Sequence, residues 1–123
     1  ICVKDMDRAI SFYEQLFEQT VDKKEDIFSV FIIMGFKFCL FNNSKVNETV
    51  IWGDNCLPSL EVNDMNKLIE KLKSLKAEII FPLTKINKNW VLEFTDSEGN
   101  DIEIYCKGWL NIMIYWKEKN INN

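Results

Sequence analysis

The chemistry open to this sequence is limited first by a residue it lacks. None of its 123 residues is histidine. That rules out, within the chain, a Ser-His-Asp or Cys-His mechanism, a histidine-ligated metal and histidine acid–base catalysis. Thiols and carboxylates remain. The four cysteines are Cys2, Cys39, Cys56 and Cys106, and none stands in a CxxC pair. Each sits in an apolar, strand-like run, so reduced, packed thiols are expected, with disulfides or a soft-metal site as the alternatives. Among the carboxylates, Glu103 stands between Ile102 and Ile104. In a strand that alternation puts Asp101, Glu103 and Tyr105 on one face and the isoleucines on the other. Lys37 shares a strand face with Cys39 in the same way. Trp52 and Trp90 are candidates for an aromatic pocket, and a core or interface role would serve them equally well. The lysines between Lys67 and Lys73 read as a solvated helix face.

The elements that must position these residues come in two copies. Val3, Asp5 and Met6 return 59 positions later as Val62, Asp64 and Met65. Ala9, Ile10, Tyr13 and Leu16 return as Leu68, Ile69, Leu72 and Leu75. In each copy an aspartate caps a helix, and the apolar residues recur at helical spacing. The first helix is predicted from Met6 to Phe17 and the second from Asp64 to about Leu75. A short polar strand is expected at Thr20 to Lys24. Ile27 to Ile33 and Phe36 to Phe41 should pair across Met34 and Gly35. Asn42 to Asp54 is polar, with a short strand considered at Thr49 to Trp52. The second copy opens with a strand at Cys56 to Val62, where Pro58 marks an edge or a strand start. Glu78 to Leu83 should follow, cut short by Pro82. Trp90 to Thr95 and Asp101 to Cys106 should pair around a turn in which Gly99 supplies a positive φ.

Three stretches carry a family resemblance over roughly residues 1 to 106. Val3-Lys4-Asp5-Met6, followed by Ile10, Phe12-Tyr13 and Leu16-Phe17, resembles the opening signature of the vicinal oxygen chelate superfamily, which groups glyoxalases, bleomycin resistance proteins and extradiol dioxygenases. Val62-Asn63-Asp64-Met65 resembles its second-half counterpart. Phe94-Thr95-Asp96-Ser97-Glu98-Gly99-Asn100-Asp101-Ile102-Glu103-Ile104 resembles its closing hairpin, with Ser97 in place of the usual proline. The resemblance implies an α+β fold of two βαβββ modules, their sheets joined in a curved half-barrel with the helices outside and a cleft on the concave face. The modules would cover residues 1–42 and 56–107 of a single domain, with a linker at 43–55. Residues 108–123 would be an extension, with an apolar stripe from Trp109 to Trp116, docking on the domain or on a partner.

Metal-dependent members of that family hold a divalent ion with His or Glu from the first and last strands of each module. Carried over by position, one ligand falls upstream of Ile1, one near Leu57, one near Cys39 and one on Glu103. Leu57 cannot bind a metal. Glu103 and Cys39 alone make a poor site, because zinc takes about four ligands and harder ions take six or more oxygens. The resemblance therefore implies a small-molecule binding protein of the bleomycin-resistance type without a cofactor. Its cleft would be lined by Glu103, Cys39, Tyr105, Trp90, Lys37 and Trp52, and its ligand would be organic, with a cation suited to the acidic balance. The alternatives are a glyoxalase-like lyase or dioxygenase using Zn, Ni, Mn or Fe, its site completed upstream or by a partner chain, and an interaction module using the tail.

A net charge of −4, with lysines and arginines scattered among acids, argues against a nucleic-acid partner. No apolar run reaches the roughly 20 residues of a membrane span, and a cytoplasmic location is expected. A homodimer, with modules paired within or swapped between chains, is the expected assembly.

Overall fold

The computed structural model describes residues 1–52 and 57–107. It is an α+β architecture divided into two compact units, the second a complete βαβββ module and the first a helix and a two-stranded hairpin whose other two strand positions are single bridges. The described part of the first unit is residues 1–52 with the turn 96–100, and that of the second is residues 57–95 and 101–107. Cys56 and the apolar stripe of the C-terminal extension lie outside the described residues.

In the first unit, α1 (Met6–Phe17) starts where Asp5 accepts a 3.0 Å hydrogen bond from the Arg8 amide. Its buried side chains are Met6, Ala9, Ile10, Tyr13 and Leu16 of the predicted stripe, with Phe12 besides. It ends at Glu18 in the left-handed region, with φ 54°. β1 (Phe28–Ile33) and β2 (Phe36–Phe41) pair antiparallel, with Ile33 opposite Phe36. The two-residue loop between them, Met34 and Gly35, has φ of 49° and 83°. Positive φ at both positions matches the right-handed twist of a hairpin. Phe31 and Phe38, partners across the ladder, join Tyr13 and Phe17 in an aromatic cluster with ring centroids 4.9 to 6.5 Å apart.

The expected strand at Thr20 to Lys24 is reduced to one bridge, Lys23 to Val30, and the opening strand to another, Cys2 to Phe41. Residues 49–52 form no strand. A 3-10 turn at Asn43–Val46 lies in this polar segment instead.

In the second unit, β3 (Ser59–Glu61) leads to α2 (Met65–Ser74), which Asp64 caps through the Lys67 amide at 3.0 Å. The same residue type makes the same contact at both copies of the repeat. β4 (Ile79–Ile86), β5 (Asn89–Thr95) and β6 (Asp101–Cys106) complete a sheet of order β3-β6-β5-β4, with β3 parallel to β6 and the other pairs antiparallel. Pro82 does not cut β4 short. β4 is an edge strand, and its ladder with β5 shifts register between Phe81 and Thr84. Proline has no N–H to donate anywhere, and the lack costs least on an edge strand at a ladder irregularity. The apolar core of this unit comes from Met65, Leu68, Ile69 and Leu72 of α2 with Trp90, Leu92, Phe94, Ile102, Ile104 and Cys106 of the sheet.

The turn 96–100 belongs by its contacts to the first unit, and the hydrogen bonds show why. Glu98 has a fully buried side chain, and its Oε1 accepts from the backbone amides of Lys4 (2.8 Å) and Asp5 (2.7 Å). Arg8 donates from Nε to Oε2 at 2.7 Å and from Nη2 to Oε1 at 3.0 Å, and Ser97 Oγ donates to Oε2. Asp96 accepts from the buried Tyr13 hydroxyl at 2.6 Å and from the amides of Glu98 and Asn100 at 2.8 Å. Asn100 Nδ2 donates to the Cys2 carbonyl. The opening and closing signatures of the sequence are thus two halves of one hydrogen-bonded joint.

Candidate functional site

A cleft of about 380 Å³ opens in the second unit, lined by Ser59, Ile86, Asn87, Asn89, Val91, Glu103 and Tyr105. Strand pairing builds it. Ser59 on β3 lies opposite Glu103 on β6, and Glu103 in turn lies opposite Glu93 on β5. Two positions along, Glu61, Tyr105 and Val91 form the next register-matched row to share this face. Ile102, Ile104 and Cys106 alternate onto the buried face. At the mouth, Ile86 and Asn89 pair across the two-residue turn, where Asn87 takes φ 56°. Asparagine tolerates that region better than most residues.

The charge in the cleft is negative. Ser59 Oγ donates to Glu103 Oε1 at 2.9 Å, which fixes one carboxylate oxygen. Tyr105 donates its hydroxyl to Glu61 Oε2 at 3.2 Å, and Lys107 stands 3.7 Å from Glu61. Among the described residues neither Glu103 nor Glu93 has an ion-pair partner. The two carboxylates face each other across the ladder, a pairing that like charges disfavour. Beside them Val91, Ile86 and the ring of Tyr105 offer apolar and aromatic surface.

Glu103 and Tyr105 line this cleft. Trp90 does not: it lies opposite Cys106, buried on the core face, and its indole Nε1 finds no hydrogen-bond partner among the described residues. The reading of Trp90 as a cleft residue is corrected by the same alternation that places Val91 in the cleft. Cys39, Lys37 and Trp52 belong to the first unit. Cys39 and Lys37 share the β2 face away from the aromatic cluster. Trp52 is engaged by Lys4, whose Nζ stands 4.6 Å from the ring centroid in a cation–π contact. The lining residues missed in the sequence are Ser59, Ile86, Asn87, Asn89 and Val91. Ser59 follows Leu57 by two positions, so strand periodicity alone puts it on the same face.

The chemistry of the donors bears on the divalent ion that the fold family implies. No group of three Asp, Glu, Cys or His side chains is placed to hold an ion among the described residues. Glu103 is the one acidic side chain lining the cleft, and one of its oxygens is already bonded to Ser59. Leu57, at the position of another family ligand, carries an apolar, exposed side chain. This donor set does not fit the ion.

The family model of the Glyoxalase/Bleomycin resistance protein/Dioxygenase superfamily matches residues 1–104. No curated protein matches the sequence. Solved structures similar to this chain include lactoylglutathione lyase from Agrobacterium tumefaciens, at 13% identity and TM-score 0.69, covering 86% of this chain and 88% of that one. The genomically encoded fosfomycin resistance protein of Listeria monocytogenes aligns at 18% identity and TM-score 0.66, covering 89% of each chain. A glyoxalase/bleomycin resistance protein/dioxygenase family enzyme from Burkholderia phytofirmans aligns at 16% identity and TM-score 0.70, covering 88% and 94%. At these identities the likeness establishes the fold. No helix among the described residues is long and apolar enough to cross a membrane.

Proposed function

This chain belongs to the Glyoxalase/Bleomycin resistance protein/Dioxygenase superfamily, and we propose that within it the chain binds a small organic cation in the cleft of its second unit, without a catalytic metal. The observation that carries this reading is the Glu103 carboxylate. It sits on the cleft wall, steadied by Ser59 and without a cationic partner among the described residues, beside an aromatic ring and two aliphatic side chains. An anion held against apolar surface suits a ligand with a positive head and an apolar body. Tyr105 adds a ring face to which a cation is attracted. Glu93, opposite Glu103, strengthens the negative potential that such a ligand would relieve.

The cleft supplies binding and orientation: a fixed carboxylate, a hydroxyl held by Glu61, and two amide side chains at the mouth from Asn87 and Asn89. The Ser59–Glu103 contact is read as steadying the carboxylate, and binding rather than turnover is the activity proposed. A direct test uses benzyltrimethylammonium and benzoate as probes of matched size and opposite charge. The cation should bind and the anion should not. Glu103→Gln should weaken the cation by about tenfold, or ~1.4 kcal/mol, and Ser59→Ala by less. Equal binding of both probes, or no effect of Glu103→Gln, would sink the proposal.

A further inference from the structure

The first unit carries a second pair of donors whose chemistry differs from the cleft's. We propose that Cys2 and Cys39 form a two-thiolate site for a soft monovalent cation of the copper(I) class. The register brings the two together. Cys2 pairs in parallel with Phe41, fixed by Val3 N to Phe41 O and Phe41 N to Ile1 O, each 2.9 Å, and by Ile1 N to Cys39 O at 2.7 Å. Residues opposite each other in a ladder point to the same face, and Cys39 shares that face with Phe41 because it is two positions away. Cys2 and Cys39 are therefore diagonal neighbours on one face.

With paired strands about 4.8 Å apart and two residues rising about 6.6 Å, diagonal neighbours have Cα atoms roughly 8 Å apart, beyond the roughly 6.8 Å reach of a disulfide. Both thiols are free. An ion bound between the two sulfurs closes the gap that a direct bond cannot. Both cysteines are also partly exposed, so an ion can reach them, whereas Cys106 is buried with its sulfur 3.8 Å from the Asn63 carbonyl.

The choice of ion follows from number and softness. Two sulfur donors satisfy neither zinc, which takes about four ligands, nor calcium and magnesium, which take oxygens. Soft thiolates select copper(I), zinc and iron–sulfur clusters, and of these copper(I) is the one left when only two sulfurs are offered. The internal repeat sharpens the contrast. Cys2 stands to Phe41 as Glu61 stands to Tyr105, so the thiol pair occupies the places that Glu61 and Glu103 hold in the second unit. One scaffold position thus carries oxygen donors in one module and sulfur donors in the other. Phe41 and its partner Phe28, with ring centroids 6.5 Å apart, flank the thiols with apolar surface. Lys37, on the same β2 face, offsets the net negative charge left when two thiol protons go to solvent and one monovalent cation binds.

The site lies wholly within the first unit and does not depend on the proposed cation cleft. The test is an anaerobic competition for copper(I) against a colorimetric chelator, using the full chain. One equivalent should be withdrawn. Cys2→Ser and Cys39→Ser should each weaken retention by about tenfold or more, while Cys106→Ser and Cys56→Ser should leave it in place. On the unaltered chain, which removes any question of misfolded variants, copper(I) should protect Cys2 and Cys39 together from alkylation in peptide mass maps. Full retention by either the Cys2 or the Cys39 variant, or protection of Cys56 in their stead, would overturn the assignment.

Discussion

Glu98 has no exposed side-chain surface, yet it is held as an anion. Burial by itself pushes its carboxyl up. The Arg8 guanidinium, the Asp5 and Lys4 amides and the Ser97 hydroxyl more than reverse that and set it below the ordinary glutamate range. Glu98→Gln removes the charge and turns an amide donor toward backbone donors. The expected loss is about 1–3 kcal/mol, seen as a lower urea midpoint with unchanged slope. The sign of the pH dependence follows from the lowered folded value. The stabilisation is complete above about 4.3, the unfolded glutamate value, and drains as pH falls through the folded one. Urea midpoints measured down the acid limb should fall in the native chain and run flatter in Glu98→Gln. Tyr13 behaves in the opposite sense. Burial first, and then the charge of Asp96, raise its hydroxyl well above the usual tyrosine value. Its contribution is whole below about pH 10 and is lost as pH rises through the folded value. Tyr13→Phe should cost about 1 kcal/mol at neutral pH and remove part of the alkaline limb. None of this is written locally in the sequence. Tyr13 reads there as one more apolar position on a helix, and its polar task is set by Asp96, 83 positions away.

At the scale of elements, the β1–β2 hairpin places a non-glycine residue, Met34, at φ 49° with 95% of its surface exposed. Asparagine is the usual occupant of such a position ahead of glycine. Met34→Asn should therefore stabilise the fold by up to about 1 kcal/mol, read as a raised thermal midpoint. A lowered midpoint would mean that the Met34 side chain makes a contact in solution that favours the fold. Helices and hairpins were legible because each is encoded within a few residues: the aspartate caps, the helical spacing, and Met34-Gly35 or Ser97-to-Asn100 at the turns. β4 was less so. Pro82 is a sound reason to end a strand, and only the sheet order shows that this strand is an edge. The short strands near Lys23 and Cys2 shrink to single bridges, to Val30 seven positions on and to Phe41 39 positions on.

At the scale of the molecule, the duplication made the scaffold readable, since two capped helices at a constant offset leave few folds to consider. The site was readable in part. Glu103 and Tyr105 could be placed by alternation, whereas Ser59 meets Glu103 only through the parallel β3–β6 pairing, 44 positions apart. Trp90 shows the limit of aromatic candidates, because a tryptophan one position out of phase with Glu103's face becomes core. The scaffold holds two different donor sets at corresponding places, carboxylates in the second module and thiols in the first. The central claim is that the carboxylate cleft binds an organic cation without a divalent ion. It is tested most directly by following backbone amide NMR signals of chelator-treated protein during titration with benzyltrimethylammonium. The account predicts saturable shifts centred on Ser59, Val91, Glu103 and Tyr105, unchanged by added Zn, Ni, Mn or Fe. Shifts that arise only after one of those ions is restored, or that leave these residues unmoved, would contradict it.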